Sequence, residues 1–230
     1  MNGDQLLICR EQHLWLSHER TVYWEEEKTM ILSDTHFGKT GHFRKNGIAV
    51  PQNIYKGDLQ RFFSIVQFYN AKRVLVVGDF FHSHANEELD WFLKWKRDFT
   101  QLQVTLVMGN HDLLPTSWYA TAAIEIFPEA LLLGPFQFQH DYVEKTKEDK
   151  DKKEYQPEKS QSPYIFSGHM HPGITIKGLS KQSLRFPCFY FGKNHCILPA
   201  FSKFSGLATI KPKKADQVFA IVNDNLIQTQ

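Results

Sequence analysis

Three short apolar runs in the first half of the chain each end at residues that can bind a cation. The runs lead into residues 33–36, 78–79 and 109–112, where the sequence reads S-D-T-H, G-D and G-N-H-D. Continuous apolar runs of this length are typical of parallel strands that are buried on both faces of a sheet. Because such strands deliver their last side chains to one edge of an open sheet, we expect these polar residues to converge.

The segments between the runs have the spacing of helices. Residues 51–69 carry Leu59 and Phe62 at helical intervals, and Asn86 is placed to cap a second helix that continues to residue 99. The order strand, helix, strand, helix, strand predicts a mainly parallel sheet with right-handed crossovers.

Short strands separated by turns are predicted for the rest of the chain. Four precede the first site segment, at residues 6–9, 13–16, 21–24 and 29–33. After residue 128 we expect strands at 131–133, 137–140, 164–167, 173–177, 185–191, 196–198, 207–210 and 218–222. Residues 192–194 would close a hairpin, and the later strands would form a second, more antiparallel sheet packed on the first.

Length and composition favour one cytoplasmic domain. The 230 residues suffice for a single domain, 1–230, with a formal charge of only +2. The charged run 144–154 is predicted to lie in a solvated surface insertion at about 141–162. The three cysteines form no C-x-x-C pair, which favours a reducing compartment. Neither a secretory signal nor the ~20-residue apolar run of a membrane span is visible, so we expect no membrane partner.

The polar residues form a set of metal-ligand candidates. In an extended segment alternate side chains share one face, so Asp34 and His36 can reach the same ion. Asp79 can bridge two ions with its two carboxylate oxygens, and Asn110 offers a neutral amide oxygen. The imidazole candidates are His140, His169 and His171. This mixture suits manganese, iron, zinc or cobalt and does not choose among them. We expect two such divalent cations and take manganese as the first candidate.

The order of these blocks resembles the signature of the calcineurin-like metallophosphoesterase superfamily: D-x-H, G-D, G-N-H-[DE], a lone His and G-H-x-H. The resemblance implies an α/β fold, an αββα four-layer sandwich of two mixed β-sheets flanked by helices. It implies two ligand sets that share Asp79: Asp34, His36 and His171 on one ion, and Asn110, His140 and His169 on the other. His195 is the alternative to His140, but it follows the G-H-x-H block and so falls outside the family order.

The implied reaction is hydrolysis of a phosphate ester. Two cations ~3.5–4 Å apart can share a hydroxide and hold the phosphate oxygens for in-line attack. His111 is the predicted general acid to the leaving oxygen. Asp112 could orient the His111 ring, or could instead cap the turn. His82, in G-D-F-F-H, resembles the G-D-x-x-H form of SbcD-type nucleases, where that histidine lies near the scissile phosphate; a role away from the substrate is the alternative.

A narrower resemblance covers most of the chain. Two stretches look like the bacterial ligase-associated DNA damage response endonucleases (PdeM-type): residues 32–39 with 42–48 and Pro51, and residues 198–201 with 204–206. That family implies a DNA substrate and association with a DNA ligase and a helicase. The chain departs from it at Ser202, where glycine is usual, and in the length and charge of the 144–154 run.

A basic cluster follows the first site segment. Lys39, Arg44 and Lys45 could contact a phosphate backbone from a loop, and Phe43 could stack on an unpaired base. The alternative is an ordinary basic loop with Phe43 packed inward.

Three functions are compatible with these residues. The first is a metal-dependent phosphodiesterase or nuclease acting on DNA in repair. The second is a phosphatase or phosphodiesterase of nucleotides or other small esters that uses the same ions. The third, a scaffold without activity, is disfavoured because the ligand set and His111 are all present.

Overall fold

A computed structural model of the chain describes residues 3–45, 47, 52–82, 87–142, 162–178 and 182–230. The helices within these ranges are α1 Lys39–Lys45, α2 Gln52–Phe68, α3 Glu87–Asp98 and α4 Thr116–Thr121. The strands are β1 Gln5–Cys9, β2 Gln12–Ser17, β3 Thr21–Trp24, β4 Thr29–Leu32, β5 Arg73–Val77, β6 Gln103–Val107, β7 Ile124–Phe127, β8 Ala130–Leu133, β9 Phe136–Gln139, β10 Tyr164–Ser167, β11 Pro172–Lys177, β12 Ser183–Phe191, β13 His195–Ile197, β14 Ala208–Thr209, β15 Gln217–Val222 and β16 Asn225–Gln228.

The first sheet contains seven strands in the order of the chain, β1 to β7. Strands β1 to β4 form an antiparallel meander, and β4 to β7 are parallel. The parallel half carries the apolar runs, as the sequence predicts. Leu32 pairs with Val76, and Val77 pairs with Val107, so the segments after β4, β5 and β6 leave the sheet at the same edge.

Helices cover one face of this sheet. Phe62 on α2 and Phe92 on α3 belong to one buried cluster with Val76 and Leu106 of the sheet. Amphipathic helices bury such a stripe because the removal of apolar surface from water stabilises the fold. The predicted helix 51–69 is confirmed as α2. Asn86, the predicted N-cap of the following helix, lies outside the described residues.

The second sheet packs on the opposite face of the first. It contains nine strands, with the order β14-β11-β12-β13-β10-β9-β8 and with β15 and β16 attached to β12. Trp24 and Leu75 of the first sheet share a buried cluster with Phe166 and Phe189 of the second. Both sheets mix parallel and antiparallel pairs, so the predicted two-sheet sandwich is confirmed.

Some expectations differ from the structure. All four helices within the described ranges precede β7. The basic segment expected as a loop forms helix α1, and β7 and β16 are strands that were not predicted. The charged run 144–154 lies outside the described residues. No helix in the part of the chain that the structure describes is long and apolar enough to cross a membrane.

Candidate metal centre

The predicted ligands lie on turns that follow strands at one edge of the two sheets. Parallel pairing of β4 with β5, β5 with β6, and β9 with β10 aligns the ends of these strands. The turns after them carry Asp34 and His36, Asp79, Asn110, His140, and His169 and His171.

The side chains form two groups that could each hold a cation. Asp34, His36 and His171 place one donor atom each within 4.8 Å of one another. His171 Nε2 lies 3.1 Å from Asp34 Oδ1 within this first group. The second group is Asp79, His140 and His169, with the same spacing. This division agrees with the two ligand sets that the resemblance implies.

His140 has the contacts of a metal ligand. Its Nδ1 lies 3.1 Å from the Val77 carbonyl oxygen, to which it can donate, and this leaves the Nε2 lone pair for a cation. Nε2 lies 3.2 Å from Asn110 Oδ1, 3.4 Å from Asp79 Oδ2 and 3.2 Å from His169 Nδ1. One ring nitrogen cannot bond to all three, whereas donors around a shared cation approach one another in this way. Asn110 therefore joins the second group.

His36 gives an independent sign that the first group fits a cation. Neither ring nitrogen has a hydrogen-bond partner among the described residues, although only 5% of the residue is exposed. A buried polar group without a partner typically costs about 1–3 kcal/mol. Burial lowers the pKa of His36 to about 3, against the opposing effect of the Asp34 charge. The ring is therefore neutral, which is the form that binds a metal ion.

Asp79 is ionised and lies next to both groups. Burial raises its pKa, but the neighbouring His140 ring and the hydrogen bond from the backbone N–H of His111 lower it further, to about 2. The His111 N–H donates to Asp79 Oδ1 over 2.9 Å, and Oδ2 faces His140. The charge of Asp79 also acts on His36 in the first group. The bridging role of Asp79 stays a prediction.

The backbone at the ligands is left-handed. Positive φ values occur at Asp34 (53°), His36 (48°), Asp79 (52°), His169 (62°) and His171 (49°). Such conformations cost of order 1–3 kcal/mol each for residues other than glycine and persist only where the surroundings impose them. The expected extended D-x-H segment is therefore wrong in its geometry. His169 and His171, only two residues apart, face different groups.

Hydrogen bonds between neighbouring turns impose this conformation. The Asp34 N–H donates to the Gly78 carbonyl over 3.0 Å, and the His36 N–H donates to the Asp79 carbonyl over 2.9 Å. The His169 N–H donates to Asp34 Oδ2 over 3.1 Å. Each ligand turn is thus held by another ligand turn.

The buried segment 200–202, which Arg20 and Arg61 hold in place, forms a clasp that supports Asp34. The Ser202 N–H donates to the Asp34 carbonyl over 3.1 Å. Arg20 Nη1 donates to the carbonyls of Ala200 and Ser202 over 3.0 and 2.8 Å, while Arg61 donates to the Phe201 carbonyl and lies over its ring. The sequence gives no local signal for these two arginines, because their partners are about 140 to 180 positions away.

Ser202 itself has a structural role. Its hydroxyl donates to Asp58 Oδ2 over 3.1 Å and accepts from the Phe204 N–H over 3.1 Å. The departure from glycine at this position therefore adds a buried hydrogen-bonded link between α2 and the clasp.

Glycines make room for the ligands. Gly78 has φ +82°, and a Cβ there would overlap the His140 ring. A Cβ at Gly168 would lie 2.6 Å from Asp34 Oδ2 and 2.9 Å from the Val77 carbonyl oxygen. A Cβ at Gly109 would overlap the Asp79 carboxylate and backbone nitrogen. Each glycine before a ligand block is thus required by packing.

Gly109→Ala is expected to weaken cation binding, because the added methyl group must displace Asp79. Overpacking of this kind typically costs about 1–3 kcal/mol. We expect calorimetric titration with manganese to show an affinity roughly ten- to hundredfold below that of the wild type. Gly206→Ala is the matched control, since a Cβ there has nothing within 4 Å. Equal affinities for the two variants would contradict the argument.

Two of the three predicted catalytic residues, His82 and His111, lie beside the first group. The rings of His82 and His111 have centroids 4.5 Å apart and lie 5.7 and 5.6 Å from the ring of His36. Asp112 instead holds two turns together: the Phe81 N–H donates to its Oδ1 over 3.0 Å, and the Gly109 N–H donates to its Oδ2 over 2.8 Å. Burial raises the Asp112 pKa to about 7, against these hydrogen bonds. Of its two predicted roles, the structure shows the turn cap.

The predicted substrate-binding residues lie on α1. Lys39 is half-buried, its Nζ lies 3.5 Å from the Phe204 carbonyl, and burial lowers its pKa while the charges of Asp79 and Asp34 raise it. Phe43 packs edge-on against Phe204 with centroids 6.0 Å apart, which is closer to the inward-packed alternative. The side chains of Arg44 and Lys45 lie outside what the structure describes.

His195, the alternative to His140, lies in neither group. Its ring stacks on Tyr142 with centroids 4.3 Å apart. Its backbone closes the predicted hairpin, since the Gly192 N–H donates to the His195 carbonyl over 2.8 Å.

A sequence model of the calcineurin-like phosphoesterase family matches residues 27–180, about two thirds of the chain. The chain is a calcineurin-like phosphoesterase. Membership of this family, with both cation-binding groups assembled, identifies a metal-dependent hydrolase of phosphoric esters. The match spans every predicted ligand from Asp34 to His171.

Among solved structures, the chain is similar to a nuclease over its full length. This phosphoesterase is similar to the crystal structure of Pseudomonas putida nuclease MPE, with a TM-score of 0.77 and 25% identity over 98% of this chain and 100% of that chain. A weaker similarity links 49% of this chain to 60% of AQ665, a protein of unknown function from Aquifex aeolicus, with 20% identity and a TM-score of 0.38. A search of curated proteins finds no match.

Proposed function

We propose that this calcineurin-like phosphoesterase is a DNA nuclease that hydrolyses phosphodiesters in DNA repair. The observation that carries the proposal is the match to a nuclease over 98% of the chain, with a TM-score of 0.77. The similarity to this nuclease extends beyond residues 27–180, which are the part that the family model matches. Association with a DNA ligase and a helicase, and a cytoplasmic location, stay predictions.

The two groups of the metal centre would each hold a divalent cation, with manganese as the proposed metal. Asp34, His36 and His171 would hold one, Asn110, His140 and His169 would hold the other, and Asp79 would bridge both. Such a pair of cations supplies Lewis acidity to the phosphate oxygens and lowers the pKa of a water molecule. Imidazoles together with carboxylates suit manganese, iron, zinc or cobalt better than magnesium.

The chain's own residues supply the proton and the orientation. His111 lies beside the first group and is only partly buried, so it can protonate a leaving oxygen that arrives there. His82 lies against His111 and is placed to contact the same phosphate. Asp112 fixes the turn between them by binding the Phe81 and Gly109 N–H groups.

The test is cleavage of labelled single-stranded and double-stranded DNA in manganese, beside bis-p-nitrophenyl phosphate and p-nitrophenyl phosphate. The proposal expects DNA cleavage by the wild type and its loss in His111→Ala. Rapid hydrolysis of the small esters with intact DNA would contradict it and would favour the small-molecule enzyme.

Lys39→Met is expected to weaken DNA binding without removing metal. Lys39 lies three residues after His36 and is attracted by Asp34 and Asp79, so its ammonium group stays near the centre and can contact a phosphate. We expect kcat/KM for DNA to fall roughly tenfold at low salt, mostly through KM, and the dependence on salt to become shallower by about one phosphate contact. Lys177→Met, at an exposed position on β11, is the matched control. An unchanged salt dependence in Lys39→Met would exclude the contact.

A further inference from the structure

A cavity of about 520 Å³ opens beside the second group of the metal centre. It lies where the chain crosses from β7, at the edge of the first sheet, to β8 and β9, at the edge of the second. Asn110, His140 and His169 form one wall, so a molecule in the cavity would lie directly next to a cation held there. The size falls within the range of about 300–1,000 Å³ that is usual for small-molecule sites.

The charge of the cavity disfavours a phosphate group. Glu129 and Asp141 are exposed carboxylates in its lining, and no lysine or arginine is among the described residues that line it. Because like charges repel, the part of the cavity next to Glu129 and Asp141 disfavours a phosphate group. A neutral group rich in N–H donors would be attracted to it.

Two glutamines on β9 give the cavity a fixed hydrogen-bonding edge. Gln137 and Gln139 are two positions apart, so they share a face of the strand, opposite Phe136 and Phe138 in the core. Gln137 Nε2 donates to Gln139 Oε1 over 2.7 Å, and Gln139 Nε2 donates to the Asp141 carbonyl over 2.8 Å. These two hydrogen bonds fix the orientation of both side-chain amides.

The fixed amides still offer hydrogen bonds to a ligand. Gln137 keeps its carbonyl oxygen and one N–H, and Gln139 keeps one N–H, because each amide nitrogen has two hydrogens. With the two carboxylates, the wall contains more acceptors than donors. Half-buried Met108 and the Ala130 methyl group add apolar surface on which a flat ring can lie.

We propose that this cavity is a nucleobase subsite, which takes the base of a nucleotide next to the scissile phosphate and favours bases with an exocyclic amino group. Gln137 pairs with the amino group and the adjacent ring nitrogen, as glutamine does with adenine in the major groove. The carboxylates of Glu129 and Asp141 accept the remaining amino hydrogen. Uracil, which presents a carbonyl oxygen in place of the amino group, is disfavoured. The inference rests on the proposed function and adds a base preference to it.

The test compares single-stranded oligodeoxynucleotides that carry a central dC tract or a central dU tract, since the two bases differ only at the exocyclic position and its neighbouring ring nitrogen. We expect the wild type to cleave the dC tract with a kcat/KM roughly tenfold higher. Gln137→Leu and Gln139→Leu should reduce that ratio to within about twofold. Gln217→Leu, the same change at an exposed position on β15, should retain it.

The outcomes separate the subsite from the nuclease proposal. Cleavage of both tracts at equal rates by the wild type, or an unchanged ratio in both glutamine variants, would overturn the subsite and leave the nuclease intact. If no oligonucleotide is cut while bis-p-nitrophenyl phosphate is hydrolysed, the DNA substrate fails. The p-nitrophenyl esters of deoxycytidine and deoxyuridine monophosphate then give the same ratio for the subsite alone, with the same expected and contrary results.

Discussion

Replacement of His111 by alanine is expected to slow DNA hydrolysis by about 10²–10⁴-fold while both cation sites stay filled. The His111 ring is not part of either donor group, and its backbone N–H, which donates to Asp79 Oδ1 over 2.9 Å, survives the substitution. The ligand geometry should therefore change little. The variant lacks the group that protonates the departing deoxyribose oxygen, and this oxygen is a poor leaving group as an alkoxide.

The leaving group provides a direct check on this role. Because p-nitrophenolate leaves without protonation, His111→Ala should lose much less activity on bis-p-nitrophenyl phosphate than on DNA. Metal content is measured by elemental analysis of both proteins. The control is His13→Ala, at an exposed histidine on β2 that pairs with Glu26. Equal losses on both substrates would remove His111 as the general acid and leave it a role in binding.

Convergence of the ligands could be predicted because it follows from local sequence. An apolar run such as β5 must be buried on both faces, burial imposes parallel pairing with its neighbours, and parallel pairing brings the strand ends together. The same logic places His140, which follows the alternating residues of β9. These steps need only the period of the apolar residues and the position of each polar residue that ends a run.

The conformation of the ligand turns could not be predicted, because it depends on partners that are distant in the sequence. The left-handed backbone at Asp34 and Asp79 is held by hydrogen bonds between turns about 45 residues apart, and the clasp of Arg20 acts across about 180. Spacing alone therefore gave a wrong extended geometry for D-x-H. By contrast, β7 could have been found, since its I-E-I-F letters alternate with the period of a strand.

Short helices are a further limit of sequence patterns. Helix α1 contains a glycine near its middle, with no acidic residue in its first turn, so its local preference is for a loop. Its position between the metal centre and Phe204 nevertheless favours the helix, since Lys39 and Phe43 both contact Phe204. Tertiary contacts outweigh helix propensity here, and they bring Lys39 to the first group.

Replacement of Asp79 is expected to remove metal as well as activity. Asp79 has one oxygen against His140 and one against the His111 N–H, and its charge acts on His36 in the other group. If it bridges the cations, Asp79→Ala should lower the occupancy of both sites, and hydrolysis should fall by more than roughly 10³-fold, because neither ion keeps its shared anionic ligand.

Two comparisons isolate the bridging role. His169→Ala removes a donor from the second group alone, so its metal content should lie between that of the wild type and that of Asp79→Ala. Asp79→Asn keeps the shape and an oxygen that accepts the His111 N–H but lacks the negative charge, so a loss of metal there reflects charge and not misfolding. Circular dichroism confirms that each variant is folded. Since a bridging carboxylate belongs to both ions, full occupancy of the first site in Asp79→Ala would restrict Asp79 to the second group and make the two sites independent.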